Sequence, residues 1–338
     1  MGLAMENKDN FAYNLERFFL SYLPNRRCVS KNTITSYRDV FKIFLRFLSD
    51  EKNCQPNRIK MGDFTRENIL DFMKYLVDVR KVSQRSRNQR LSALYSFVHY
   101  LQFEYPESLS QWQKILSIPI CKCGKPQMQY LTIKQIELLM RTVGKYGNHR
   151  DKAIILLLYD TGARVQELVD ISFGDLSLVN PATLILHGKG NKTRVVPLLN
   201  TTVRILKSYI DEIEPANLSH PLFRNRNGEA FTRFGVMYIL KKYAKLASRE
   251  DIKIPDKLTP HMLRHSKAMH LLEAGCSVIE IQRLLGHSDI RTTTIYAQTN
   301  VEMIRKSLEK VSYSYVQDSR KKKDWQKSKK LMAFLNSL

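Results

Sequence analysis

From Glu104 to Gln129 the sequence carries no clear apolar period and holds three prolines, Pro106, Pro119 and Pro126. On both sides of it, apolar residues recur at helical spacing over long stretches. That interruption constrains the chain most: it predicts two folded units, and 338 residues suffice for two domains of ordinary size. The reading is an N-terminal helical domain over 1–121, a linker over 122–129, a second domain over 130–311 and a basic tail over 312–338.

The N-terminal part predicts four helices, over Phe11 to Leu23, Thr33 to Ser49, Thr65 to Val79 and Ser83 to Phe103. In the second, Ile34, Tyr37, Phe41, Phe44, Leu45 and Leu48 form one apolar stripe, which is core packing. Lys31, Arg38 and Lys42 fall on its polar side, and Arg85, Arg87 and Arg90 open the fourth helix. Basic side chains placed so are candidates for backbone contacts to a nucleic acid.

The second part predicts a helix over Leu131 to Val143 behind Thr132, and a buried helix in the apolar run Lys152-Ala-Ile-Ile-Leu-Leu-Leu-Tyr-Asp160. Two short β runs, Thr183 to His187 and Thr193 to Leu198, flank Gly188-Lys189-Gly190-Asn191, which reads as a hairpin loop. Amphipathic helices follow over Thr201 to Ile213 and Arg233 to Ala247. The class is mainly α with a small β-sheet.

The formal charge is +23. The excess is spread: residues 1–126 hold 21 Lys and Arg against 12 Asp and Glu, and the rest holds 34 against 20. A chain basic throughout favours a polyanionic partner, with nucleic acid ahead of a membrane surface. No apolar run reaches the roughly eighteen residues a membrane span needs, and Met1 to Asn10 lacks a signal-peptide pattern. Five cysteines, sparse and odd in number, suit a reducing cytoplasm. Cys121 and Cys123 have no second Cys/His pair at ligand spacing, so no metal is expected.

The most informative stretch runs from Thr259 to Tyr296. Thr259 and Pro260 are a helix start. His261, Arg264 and His265 then fall three and four residues apart, on one helical face. Val278, Ile281, Leu284 and Leu285 predict a further helix, closed by Gly286 as its C′ residue, with His287 just beyond on a turn. Arginine offers a fixed fork of donors that suits phosphate oxygens. Tyr296 follows nine residues after His287. Order and spacing suggest a site that grips a phosphate and attacks it.

His-x-Leu-Arg-His over 261–265, Leu-Gly-His over 285–287 and Tyr296 together resemble the C-terminal signature of the tyrosine recombinases, the phage integrase family. Thr161-Gly162-Ala163-Arg164-Val165-Gln166-Glu167-Leu168 is similar to the family's first arginine block, and His187-Gly188-Lys189-Gly190-Asn191 fits its lysine hairpin. The resemblance covers about Leu131 to Lys310 by motif. It implies a four-helix, SAM-like core-binding domain and a catalytic domain closing as a C-shaped clamp on duplex DNA. Arg164, Lys189, His261, Arg264, His287 and the nucleophile Tyr296 would be catalytic, with Glu167 and His265 in support.

Lys192 and Arg194 are expected as further DNA contacts. The implied reaction is site-specific strand exchange through a 3′-phosphotyrosine and a Holliday junction, with no cofactor, by a homotetramer on two sites, one dimer per site. A type IB topoisomerase or a non-catalytic DNA-binding protein would be the alternatives. The four-helix domain begins almost at once, which favours an Xer-like or transposon-borne enzyme, bacterial and nucleoid-associated. The tail, with Arg320-Lys-Lys-Lys323 and Leu331 to Leu335, would dock on a neighbouring subunit or on DNA.

Overall fold

The computed structural model describes residues 10–55, 58–124, 128–188, 190, 192–213, 217–249 and 254–286, together with Thr293 and Ala333. Lys189, His287, Tyr296 and the tail region lie outside the described residues apart from Ala333. The chain divides into two compact units, Met1–Pro126 and Gln127–Leu338.

In the first unit, α1 (Phe11–Arg17) runs on as a π-helical segment, Phe18–Arg26, that holds Pro24. Then come α2 (Lys31–Lys52), α3 (Arg66–Asp78), α4 (Gln84–Glu104) and α5 (Leu109–Leu116). Starts are set by hydroxyls: Ser30, Thr65 and Ser83 accept from Thr33, Asn68 and Ser86 N–H groups, satisfying donors that have no partner inside the helix. The core is aromatic. The Phe97 ring lies 5.1 Å from Phe18, 5.3 Å from Phe41, 5.4 Å from Phe64 and 5.6 Å from Phe11. These edge-on arrangements suit the ring quadrupoles.

Helix α5, inside the expected first domain, corrects the reading that Glu104 to Gln129 carries no clear apolar period. Leu109, Trp112 and Ile115 are spaced by three, Trp112 and Ile115 are buried, and Trp112 Nε1–H donates to Tyr105 O at 3.1 Å. The segment is too short for a convincing period, and Pro106 and Pro119 mask it. It belongs to the core of the first unit.

In the second unit, α6 (Ile133–Tyr146) and α7 (His149–Thr161) precede the short α8 (Val165–Val169). An antiparallel sheet follows in the order β1 (Leu176–Ser177), β2 (Thr183–His187), β3 (Thr193–Pro197). Its register pairs Leu184 with Val196 and Leu186 with Arg194. Then come α9 (Asn200–Ile210), α10 (Arg233–Ala247), α11 (Pro260–Glu273) and α12 (Val278–Leu285). Helix α7 is central: Ala153, Ile154, Ile155, Leu157 and Leu158 are all fully buried. Each of these isoleucine and leucine side chains contributes about 1.5–3 kcal/mol by leaving water. The strand β1 was not legible, being two residues long.

A candidate phosphate-gripping site

Two glycines set the site. Gly162 ends α7 at φ +58 and Gly286 ends α12 at φ +65, a conformation that penalises any Cβ. A Cβ on Gly162 would meet Leu285 Cδ2 at 2.5 Å, so the two helix ends meet where glycine alone fits. Gly162 turns the chain into Arg164, the N-cap of α8. Thr259 caps α11 by accepting from Met262 N–H, and Pro260 occupies its first turn, as the sequence indicates.

Glu167 is the hub. It is 3% exposed. Its Oε1 accepts from Arg164 Nη1 at 2.6 Å, while Oε2 accepts from Arg194 Nη2 at 2.7 Å and from the Arg164 backbone N–H at 2.9 Å. Arg264 Nη1 stands 3.9 Å from Oε2. Burial opposes ionisation of Glu167, but the hydrogen bonds from Arg194 and Arg164 outweigh it and hold the carboxyl at about 2. At neutral pH it is a fixed anion that orients cations, not a proton carrier.

Arg264 is 1% exposed and donates to Gly162 O and Leu285 O, both at 2.6 Å. Arg164 is 39% exposed. Both line an open cleft of about 350 Å³, shared with Ala163, Gln166, Arg233 and His261. The His261 and His265 rings meet edge-on at 4.3 Å. His261 is exposed at the surface of the unit, yet partial burial, then Arg264 and Arg164, push its imidazole below the ordinary 6.5. Burial, then His261 and Arg264, push His265 down to about 4. Both rings are therefore neutral at pH 7.

The structure thus gathers Arg164, Glu167, His261, Arg264 and His265 in the second unit. Lys189, His287 and Tyr296 lie outside the described residues; in sequence, Lys189 falls between β2 and β3, and His287 follows Gly286.

Two of the expected DNA contacts have partners inside the protein. Arg194 is 11% exposed and turned inward, with Nε–H donating to Leu284 O at 2.8 Å besides its bond to Glu167. Arg87 is buried, donating from Nη1 to Asn88 Oδ1 and to Pro119 O. A guanidinium spent inside the protein is not offered to a phosphate. Arg90 is half-buried; Lys31, Arg38, Lys42, Arg85 and Lys192 are exposed, with Arg38 paired to Asp39 at 2.9 Å. Arg233 was missed. It opens α10 behind the Thr232 cap and lines the cleft, and the signal available was a cation one residue past a helix N-cap. Among the described residues no three His, Cys, Asp or Glu side chains group as a metal site, and no helix is long and apolar enough to cross a membrane.

Fold and site together bring an arginine pair, held around a buried carboxylate, to one open cleft. Residues 129–303 match the family model described as the phage integrase family, and residues 16–105 match the phage integrase N-terminal SAM-like domain. The chain belongs to the phage integrase family and is a tyrosine site-specific recombinase, which breaks and rejoins DNA strands.

Among its relatives is y4rC of Sinorhizobium fredii, named as an integrase/recombinase. It is 34% identical over 327 residues, 96% of this chain and 97% of the relative. The tyrosine recombinase XerD of Staphylococcus epidermidis is 34% identical over 295 residues, covering 85% of this chain and 95% of XerD. Solved structures share the fold. XerH bound to a palindromic difH substrate aligns with a TM-score of 0.65 at 21% identity, over 83% of this chain and 80% of that one. The Tn1549 transposon integrase with transposon right-end DNA aligns at 0.66 and 17%, over 88% and 98%.

Proposed function

We propose that this recombinase is of Xer-like or transposon type, and that it cuts DNA by attack of the Tyr296 hydroxyl on the scissile phosphorus. The observation that carries the reading is the convergence of Arg164, Arg264 and His261 on one cleft, with Glu167 fixing the arginines from behind. Arg164 and Arg264, which both line the cleft, neutralise the non-bridging oxygens, and His287 adds a donor to the same charge.

A tyrosine hydroxyl ionises near pH 10 and needs a base at neutral pH. His261, pushed below its ordinary value, is neutral and able to accept the proton. The new bond joins Tyr296 Oη to phosphorus. The bond to the 5′ oxygen breaks, and Lys189 protonates that oxygen as it leaves. The 3′-phosphotyrosine keeps the phosphodiester's energy, so rejoining balances without a metal or nucleotide.

The exposed Lys31, Lys42, Arg85 and Lys192, with Arg38 and Arg233, are the DNA contacts in this reading. Residues 1–121 act as the core-binding domain, 122–129 as the linker, 130–311 as the catalytic domain and 312–338 as a tail for subunit docking. Four protomers on two sites, a dimer on each, then exchange strands through a Holliday junction.

The test is a nicked suicide duplex incubated with the wild type and with Tyr296→Phe, then resolved on a denaturing gel. A protein–DNA adduct with the wild type alone is expected. An adduct formed by Tyr296→Phe would displace the tyrosine from its role.

A further inference from the structure

Three successive carbonyls at the end of α12 are each taken by a different arginine. Arg194 Nε–H donates to Leu284 O at 2.8 Å, Arg264 Nη2 to Leu285 O at 2.6 Å and Arg164 Nη2 to Gly286 O at 3.5 Å. The last carbonyls of a helix have no partner within it and carry the negative end of its dipole, so three cations there answer both needs. The same three arginines surround the Glu167 carboxylate.

They are not equivalent. Arg164 and Arg264 line the cleft; Arg194 does not. Arg194 is the member that sits on the β-hairpin, opposite Leu186 in the β2–β3 register, on the face where Leu184 and Val196 are buried. Space for it is kept by Gly286, where a Cβ would lie 2.9 Å from Arg194 Nη1. Arg194 therefore joins three separate parts of the site: the strand it stands on, the α8 carboxylate and the end of α12.

We propose that Arg194 is a positioning residue for strand cleavage. It fastens the β2–β3 hairpin, which carries Lys189 in sequence, to Glu167 and so to Arg164, and to the end of α12 from which the chain continues into His287. The inference rests on the cleavage reading above. It assigns Arg194 no contact with DNA. Without its guanidinium, Glu167 stays buried with one cation fewer, Leu284 O loses its donor, and the hairpin is no longer tied to the arginine that meets the phosphate. A small displacement of such groups costs about a hundredfold in rate, whereas the exposed cations that hold DNA are untouched.

The experiment uses full-length wild type, Tyr296→Phe, Arg194→Ala and Arg194→Lys. The probe is a nicked suicide duplex recovered from a randomised pool by covalent capture on the wild type. Two quantities are read: the rate of adduct formation at saturating protein, and the Kd for the unnicked duplex across a salt series. Arg194→Ala is expected to lose about a hundredfold in saturating rate, with Kd within about threefold and an unchanged salt slope, since each phosphate contact accounts for about one unit of slope. Arg194→Lys keeps a charge for Glu167 but lacks the Nε arm to Leu284 O, and should recover part of the rate.

A salt slope lower by about one unit with an unchanged saturating rate would make Arg194 a DNA contact and overturn the proposal. Parallel loss of rate, binding and melting temperature, with no recovery in Arg194→Lys, would reduce it to a structural residue and overturn it too. A wild-type adduct with full activity in Arg194→Ala defeats this inference alone. Absence of any wild-type adduct from the pool defeats the cleavage reading and this inference with it.

Discussion

Both units have an apolar core, but the first is packed on aromatic rings while the second buries an ionic cluster beside its aliphatic helices. Around Phe97 the first unit packs a set of aromatic rings, and the buried polar pair beside them, Asn14 and Tyr105, shares a hydrogen bond of 2.6 Å while Asn14 also donates to Asn10 O. Around Glu167 the second unit buries an acid among arginines. Aromatic burial is a gain in stability. A buried ionic cluster is weak evidence for stability, because removing charges from water costs several kcal/mol per ion before their attraction returns any of it. The aromatic core holds a shape. The ionic cluster holds directions: it aims Arg164 and Arg264 at one cleft and fixes the end of α12.

The contrast predicts different responses to substitution. Phe97→Leu leaves an apolar side chain in an apolar core and should cost about 1–1.5 kcal/mol. Glu167→Ala leaves guanidinium groups facing each other without their anion and should cost about 3–5 kcal/mol. Urea denaturation of the full chain, followed by probes in each unit, reads both. If Glu167→Ala costs no more than Phe97→Leu, the cluster is solvated in practice and the comparison fails.

Sequence reasoning reached the two regions unequally. Helices with a long period and a threonine start were legible, as at Thr132 and Thr259, and so was the glycine that closes α12. The aromatic core could be read because a stripe in one helix suffices to predict burial. The cluster could not, because Glu167, Arg194, Arg264 and Leu284 come from four elements, and no local pattern states which cation meets which anion. Arg194 shows the limit best. Read alone, a basic residue on a hairpin is a surface contact. Its strand alternates, however, and Arg194 shares a face with the buried Val196, which was a usable signal. The π-helical turn at Phe18–Arg26 left no signal beyond Pro24.

A second, smaller effect separates the regions by pH. His265 is held at about 4, against an ordinary 6.5, by burial and then by His261 and Arg264. The unfolded chain binds this proton more readily, so the stability linked to neutral His265 is complete above 6.5 and is lost as pH falls towards 4. Glu167 acts lower: its contribution is complete above its ordinary 4.5 and is lost as pH falls through about 2. The second unit should therefore begin to lose stability between pH 6.5 and 4.5, where the aromatic core around Phe97 has nothing to titrate. His265→Asn should flatten that slope in urea midpoints taken across the range. An unchanged slope would place its origin in another group.

The smallest expected effect lies between two neighbours on β3 and its approach. Lys192 is exposed, while Arg194, two residues on, is turned inward. Extended strands send successive side chains to opposite faces, but 192 and 194 share a parity. Lys192 precedes the first paired residue, Thr193, and so escapes the strand's alternation. A solvated lysine there contributes close to nothing to stability. If it meets a phosphate, Lys192→Ala should lower the salt slope of DNA binding by about one unit and weaken affinity evenly across sequences. The saturating rate of adduct formation should stay within about twofold, since the group is screened by solvent and supports no buried partner. Lys192→Ala and Arg194→Ala would then fail in opposite ways, one in binding and the other in rate. Should Lys192→Ala lower the saturating rate as Arg194→Ala is expected to, the division between an outward-facing contact and an inward-facing strut would not hold for this hairpin.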